Sequence, residues 1–337
     1  MTAGLCILQA GPSLTVQDFG RTGYLDRGLS RGGATDMLAL TEGAALLNQN
    51  LDHAALEMAG FGGVFEATGT LRIALTGAPM MARLDDAALV WNASHRIEAG
   101  QKLSIGAPAT GVYGYLSFGG GIDTPPVLGS RSAHLAGGIG KRLAAGDYLQ
   151  AGMDATPDDY GNSLPLDKRF SGGSVRILPS AQTDLFAAAE RQRFTQTPFT
   201  RGSRGNRQGV QLEFDGAPFA AADQLLLLSE VMVVGDVQMT GNGAPFILLP
   251  ECQTTGGYPR IGTVLPQDHA CVAQAAPGCA LEFDFVTREV ALESHLSYEL
   301  MYQALKSKVV PLLRNPHDIK DLLSYQMISG VTAGYDE

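Results

Sequence analysis

Gly114-Tyr115-Leu116-Ser117-Phe118-Gly119-Gly120-Gly121 reads as a β-strand halted by three glycines. Small or apolar residues alternate through the first five positions. The glycines that follow permit the positive φ angles of a tight turn. Upstream, Leu71-Arg72-Ile73-Ala74-Leu75-Thr76-Gly77 likewise reads as a strand ending in a turn. Glycine accounts for 42 of 337 residues, about twice the usual share. With Val, Ile, Thr and Phe in short runs between the glycines, the chain is expected to be mainly β, with many short strands joined by tight turns.

A length of 337 residues suits two domains, and a composition 45% hydrophobic and 17% charged can bury a sizeable core. The net charge is −10, with no Lys/Arg block, which argues against a nucleic-acid partner. No apolar stretch reaches about 18 residues, so no membrane span is expected. Met1 to Gln17 lacks a basic n-region with a long apolar segment, so the cytoplasm is the expected location. The four cysteines (Cys6, Cys252, Cys271, Cys279) form no C-x-x-C pair. That spacing predicts neither a structural zinc site nor a disulfide framework. No histidine has a ligand-like partner two to four residues away, and a role for a metal is left open.

Strand-like segments fill residues 1–155, the expected first domain. Inside it, Asp36 is placed to cap a helix through Met37, Leu40, Ala44 and Leu47, ending near Asn48-Gln49-Asn50. Asp154 to Gly173 is rich in Asp, Pro, Gly and Ser and reads as a linker. Val175-Arg176-Ile177-Leu178 restarts strand structure, opening a second domain over residues 172–290. Leu185 to Gln192 reads as a short helix, and Ala280 to Val286 alternates as a half-buried strand. From Arg288 to Leu313, Leu292, Leu296, Leu300, Met301, Leu305 and Val309 recur at helical spacing, four apart except for the adjacent Leu300 and Met301. This predicts one amphipathic helix, packed over a domain face or used to bind a partner. It belongs to a helical C-terminal extension over residues 291–337.

Known catalytic motifs are missing. Gly138-Ile139-Gly140-Lys141-Arg142 lacks the earlier glycine and the Ser/Thr of a phosphate loop, and there is no G-x-S-x-G nucleophile elbow. Lysine never stands between two methionines, so no biotin is expected on this chain. Four polar segments remain. In Gln17-Asp18-Phe19-Gly20-Arg21, the acid and the guanidinium could pair with each other, or present an acid and an anion clamp to a ligand. Ser30-Arg31-Gly32-Gly33-Ala34-Thr35-Asp36 is a glycine turn with a cap, or an anion site at a helix N-terminus. Gly129-Ser130-Arg131-Ser132 is a carboxylate or phosphate binder, or an ordinary turn. Pro250-Glu251-Cys252-Gln253-Thr254-Thr255-Gly256-Gly257-Tyr258-Pro259-Arg260 joins hydroxyls to adjacent glycines, as ligand-contacting loops do.

These segments resemble one family in order. The run Gln17-Asp18-x-Gly20-Arg21-x-Gly23-Tyr24 is followed by Gly33-Ala34-x-Asp36 and Ala54-Ala55-Leu56-Glu57. Gly119 to Asp123, Leu128 to Ser132, Gly146-Asp147-x-Leu149, Ser229-Glu230, Gln238 and Thr254 to Pro259 complete the series. They resemble the biotin-dependent carboxyltransferase family, also called allophanate hydrolase subunit 2, which includes the C component of 5-oxoprolinase. The resemblance implies two cyclophilin-like β-barrel domains. It also implies a protein that is inactive alone and works with a B component (allophanate hydrolase subunit 1-like) and an A component. The implied reaction is ATP-dependent opening of the lactam 5-oxoproline to glutamate, with ATP supplied through the hetero-oligomeric complex. Two alternatives are a carboxyltransferase passing carboxyl from carboxybiotin to a urea-like nitrogen, and a non-catalytic regulator binding an inhibitor that is like the B component.

On this footing Asp18 or Asp36 is expected to handle a proton or a water. Thr254, Thr255 and the N–H groups of Gly256 and Gly257 are expected to stabilise oxyanion charge. Arg21 and Arg131 would hold substrate carboxylate or phosphoryl oxygens, with Gln17, Ser30, Ser130, Gln238, Gln253 and Tyr258 completing the pocket. The chain departs from the family pattern at Tyr113 and Gln211, where arginine is usual, and at Glu251-Cys252.

Overall fold

The computed structural model describes residues 3–222 and 227–313. In the first domain the elements run β1 (Gly4–Ala10), β2 (Leu14–Gln17), α1 (Met37–Leu46), β3 (Ala55–Ala59), β4 (Gly63–Ala67) and β5 (Leu71–Gly77). β6 (Met80–Leu84), β7 (Ala87–Ala88), β8 (Ala93–Ile97), β9 (Lys102–Pro108), β10 (Tyr113–Phe118), β11 (Tyr148–Gln150) and β12 (Asn162–Ser163) follow. One sheet has the order β11-β1-β4-β9-β6-β7, and a second begins β2-β3-β10-β5-β8-β12. Leu5, Ile7, Phe65, Ile73, Leu116 and Phe118 belong to one buried cluster drawn from both sheets.

The Tyr113–Phe118 strand lies between β3 and β5, and every one of its residues is buried. α1 packs against β5 and β10, which buries their second face: the Thr76 hydroxyl donates to Ala39 O at 2.8 Å. The glycines after β10 are needed for the turn. Gly120 has φ +79°, and a Cβ there would come within 2.6 Å of the Met153 backbone.

In the second domain come β13 (Gly173–Leu178), α2 (Ala188–Gln196), β14 (Phe199–Asn206), β15 (Gly209–Glu213), β16 (Glu230–Val231) and β17 (Asp236–Met239). β18 (Pro245–Leu248), β19 (Thr255–Gly256), β20 (Arg260–Val264), α3 (His269–Gln274) and β21 (Ala280–Phe285) complete it. The barrel β13-β20-β17-β18-β15-β14-β21 closes through a parallel pairing of β13 with β21. Closure leaves no free edge on that sheet. Phe194, Phe199, Phe219 and Phe283 fill the inside, with Phe194 and Phe199 ring centroids 4.9 Å apart. The mainly β fold agrees with the sequence reading. No helix among the described residues is long and apolar enough to cross a membrane.

Three local expectations need correction. The segment expected as one helix from Arg288 to Leu313 is two helices, α4 (Arg288–Glu293) and α5 (Tyr298–Lys306), followed by strand β22 (Val310–Pro311). Thr287 and Ser297 cap their own helices, accepting from Val290 N and Leu300 N, and Ser297 is extended, so the chain cannot run through as one helix. β22 pairs with β12, which adds a seventh strand to the first domain's second sheet. The rest of the expected extension, 314–337, lies outside the described residues. The expected helix at Leu185 to Gln192 begins instead at Ala188, because Phe186 is extended and fully buried in the core. The Asp154 to Gly173 segment connects the domains but is fastened along its length: Asp154 pairs with Arg72 at 2.6 Å, and Arg169 is buried.

Candidate functional site

The residues singled out from the sequence fall into three places. The first surrounds Asp18, just beyond β2, where Gly20 turns the chain at φ +79°. The Asp18 carboxylate accepts from Gly20 N at 2.8 Å, Ser130 Oγ at 2.6 Å, Arg131 N at 2.6 Å and the Ser132 hydroxyl. Burial pushes this carboxyl up, but the Ser130 and Ser132 hydroxyls and the two N–H groups outweigh it and hold it below its usual range. Its oxygens are thus committed to shaping the Ser130-Arg131-Ser132 loop. The Arg131 guanidinium lies 3.7 Å from Asp123. Gln17 donates to Thr15 Oγ1 at 3.0 Å and Ala133 O at 3.2 Å.

Arg21 is 2% exposed and donates to the carbonyls of Val127 and Ser132. No carboxylate lies within ion-pair distance of it among the described residues, and burial lowers its pKa. Its surroundings are close-packed: a Cβ on Gly32 would sit 3.4 Å from Arg21 Nη1 and 3.0 Å from the His134 ring. Ser30 Oγ lies 2.9 Å from His134 Nε2. His134 Nδ1 accepts from Gly137 N at 3.0 Å, so the ring proton sits on Nε2 and donates to Ser30. Burial lowers the His134 pKa, against the pull of the Glu251 charge. In this tautomer the imidazole cannot take the Ser30 proton, so the pair is not an activated nucleophile.

Asp36 occupies the second place, at the seam of the domains. One oxygen caps α1 through Ala39 N at 3.1 Å. The other accepts from Arg169 Nε and from Gln274 Nε2, both at 2.8 Å. Arg169 also clasps Glu42 through two bonds of 3.0 and 2.7 Å. Gln274 Oε1 accepts from Val112 N and Tyr113 N at 2.9 Å. The fully buried Asp36 carboxylate therefore joins α1, the connecting segment and α3.

The third place is the two-stranded antiparallel sheet of β16 and β19. Gln253 Nε2 donates to Gln238 Oε1 at 2.9 Å, and Gln238 Nε2 to Met232 Sδ at 3.1 Å. Thr254 is nearly buried, whereas Thr255 and Tyr258 are exposed. Gly256 pairs with Glu230, and a Cβ on Gly257 would meet Leu227 O and Ser229 Oγ only at 3.7 Å, which leaves its surface open. The segment leading into β19 does approach the early glycine segment: a Cβ on Gly28 would lie 4.0 Å from Thr254 Oγ1, and Gly32 N donates to Pro250 O at 3.0 Å. The two runs are thus close in space, while the Asp18 and Arg21 side chains are turned to the 127–132 loop.

Between the domains lies a cleft of about 430 Å³ that the sequence reading did not single out. Its first-domain wall includes Ser13, Gly60, Tyr113, Ala136 and Arg142, and its second-domain wall Arg201, Asn206, Arg207 and Glu251. Arg207, from the β14–β15 turn, donates to Glu251 Oε1 at 2.6 Å, Thr35 Oγ1 at 2.7 Å, Gly33 O at 2.6 Å and to Glu57. Glu57 also accepts from Tyr115 OH at 2.6 Å, and Glu251 from Ala136 N at 3.0 Å. The unusual Glu251 is therefore part of the polar network that joins the domains. Cys252 beside it is a buried thiol pushed up to about 12, chiefly by burial, which makes it inert. The Tyr113 phenol, also pushed up to about 12 by burial and the Glu57 charge, stays a neutral donor. The Arg201-Gly202-Ser203-Arg204-Gly205-Asn206-Arg207 run, three arginines among glycines, is the sequence signal for this cleft. Among the described residues no cluster of His, Cys, Asp and Glu could hold a metal ion.

Residues 27–285 match the family model described as carboxyltransferase domain, subdomain A and B. The chain is 35% identical over 308 residues to the C component of 5-oxoprolinase from Escherichia coli (strain K12), covering 89% of this chain and 97% of that one. It is 31% identical over 304 residues to the same-named component from Haemophilus influenzae, with the same shares covered. Among solved structures, TTHA0988 superposes with a TM-score of 0.77 at 30% identity, covering 84% of this chain and 56% of that one. The Kluyveromyces lactis urea carboxylase superposes with a TM-score of 0.81 at 24% identity, over 94% of this chain and 31% of that one. That second likeness shows the fold alone.

Proposed function

This chain belongs to the carboxyltransferase domain family, subdomains A and B, and from that premise we propose that it is the C component of an ATP-dependent 5-oxoprolinase complex, opening 5-oxoproline to glutamate. The observation that carries the reading is its match to two 5-oxoprolinase C components along 97% of their length. An A component and a B component (allophanate hydrolase subunit 1-like) are its proposed partners, and ATP enters through the assembled complex. No biotin is attached to this chain in this reading, and the cytoplasm is its proposed site.

The chemistry is consistent with a chain that supplies binding and positioning. A lactam is a resonance-stabilised amide and a poor electrophile. Transfer of the ATP γ-phosphoryl group to the lactam oxygen turns that oxygen into a leaving group. Water then adds to the ring carbon and the ring C–N bond breaks, releasing the amine and leaving an acyl phosphate. A second water attacks that carbonyl carbon and phosphate departs, which leaves the carboxylate of glutamate. In this chain Asp18, Asp36 and Glu57 already hold the local fold. The interdomain cleft, with three arginines and a neutral phenol, is suited to holding an acid substrate.

Reconstitution tests the proposal. The chain mixed with its A and B partners, ATP and 5-oxoproline should release glutamate and phosphate together, and leaving out this chain should abolish both. Glutamate release without this chain, or carboxylation of a urea-like nitrogen when a carboxybiotin carrier replaces ATP, would overturn it.

A further inference from the structure

We propose that the interdomain cleft binds a small carboxylate anion and that Arg201 is the residue that selects it. Arg201 is 6% exposed, and its Nη1 donates to the neighbouring Gly202 O at 2.8 Å. Its buried Nε has no hydrogen-bond partner among the described residues. Among the described residues no carboxylate stands within ion-pair distance of Arg201. The other strongly buried arginines of the seam differ: Arg169 is held by Asp36 and Glu42, and Arg207 by Glu57 and Glu251. A cation withdrawn from water without a counter-charge is unfavourable unless something anionic reaches it.

The local backbone aims Arg201 at the cleft. The β14–β15 register shifts between Arg201 and Gly205, as in a bulge, and bulges redirect side chains next to sites. A Cβ at position 205 would collide with the Arg201 guanidinium, so glycine there keeps its place open. Across the cleft stands Arg142, exposed and also without a carboxylate partner among the described residues. Arg207 is already shared by two acids, so Arg201 and Arg142 are the cations left for a ligand. A guanidinium fork matches the two oxygens of a carboxylate, and the Tyr113 phenol adds a neutral donor. The volume of about 430 Å³ admits a small organic acid. Resting on the function proposed above, the ligand is the carboxylate of the lactam substrate, or of the glutamate it becomes.

The test titrates the full-length chain, alone and in the reconstituted complex, with 5-oxoproline, glutamate, the uncharged lactam 2-pyrrolidinone and inorganic phosphate. Saturable binding of a carboxylate but not of 2-pyrrolidinone is expected. Arg201→Gln should weaken that binding at least tenfold, with Arg201→Lys between the two. Arg142→Gln, at an exposed position, should weaken it several-fold and reads the cleft even where an Arg201 variant does not fold. Unchanged affinity in the folded variants overturns the site, as does saturation by phosphate alone or no carboxylate binding in either preparation. A complex that opens the lactam with an unaltered KM in Arg201→Gln sinks the site and leaves the function. Carboxylate binding through Arg201 without glutamate formation sinks the function and leaves the site.

Discussion

Asp18 shows at the scale of one residue how a group expected to react can be committed to holding structure. Four donors converge on its carboxylate, and their combined pull holds it below its ordinary value. A carboxyl whose folded pKa is depressed contributes stability that is present above its unfolded value, about 3.9, and is lost as pH falls through the folded pKa. Asp18→Asn should therefore flatten the fall in denaturant midpoint between about pH 5 and pH 3, and cost about 1–3 kcal/mol at neutral pH. An unaltered acid slope would show that the four bonds do not discriminate charge. The pairing of Asp18 with the 130–132 loop is only half legible in the sequence. Both segments stand out by composition, but their partnership spans 112 residues, and a sequence read locally shows none of that. Asp36 divides the same way. Its cap on α1 follows from local spacing, whereas its bond to Gln274 spans 238 residues.

At the scale of elements, the C-terminal segment is the instructive case. Apolar spacing from Leu292 to Val309 reads as one helix, and several of those apolar residues do face a partner. The Ser297 cap splits the helix, and α5 lies on α1, where Tyr302, Leu305 and Val309 pack against Ala45, Leu46 and Leu47. The ring of Tyr298 meets Phe19 at 4.9 Å between centroids. α5 and β22 thus carry the chain from the second domain back across the first. Removal of the Ser297 cap by Ser297→Ala should cost about 1 kcal/mol. Leu305→Ala, at a half-buried site, should cost about 1–2 kcal/mol. Chemical denaturation measures both. An effect below a few tenths of a kcal/mol in each would mean that α5 is not held by this packing. Competition between a cap and the next turn depends on where the chain must go afterwards, which explains why periodicity alone joins the two helices.

On the scale of the whole molecule, buried polar side chains hold the two domains together. Arg207 enters the first domain from the second and meets Glu57, Thr35 and Gly33 there, while also binding Glu251 of its own domain. Arg207→Met would leave Glu57 and Glu251 buried without their cation, at a cost of about 3–5 kcal/mol. The expected signature is calorimetric: one transition in the parent chain, and two resolved or strongly broadened transitions in the variant, as the domains lose their coupling. A single transition at the parent temperature would show that the seam is held without Arg207. The cleft that carries the proposed carboxylate site is formed by this seam, so the same variant should also weaken ligand binding.

The amino-acid sequence by itself determined the mainly β character, because alternation and glycine punctuation act over a few residues. It also determined the Asp36 cap and the order of family motifs. Only the tertiary structure decided which polar groups are spent and which are left for a ligand. Asp18 and Asp36 look available in the sequence and are held by their neighbours; Arg201 is one arginine of a glycine-rich run there, and among the described residues it stands without a carboxylate. The reason is physical: whether a buried charge is satisfied depends on partners brought from more than 100 residues away, and on the closeness with which two domains pack around it.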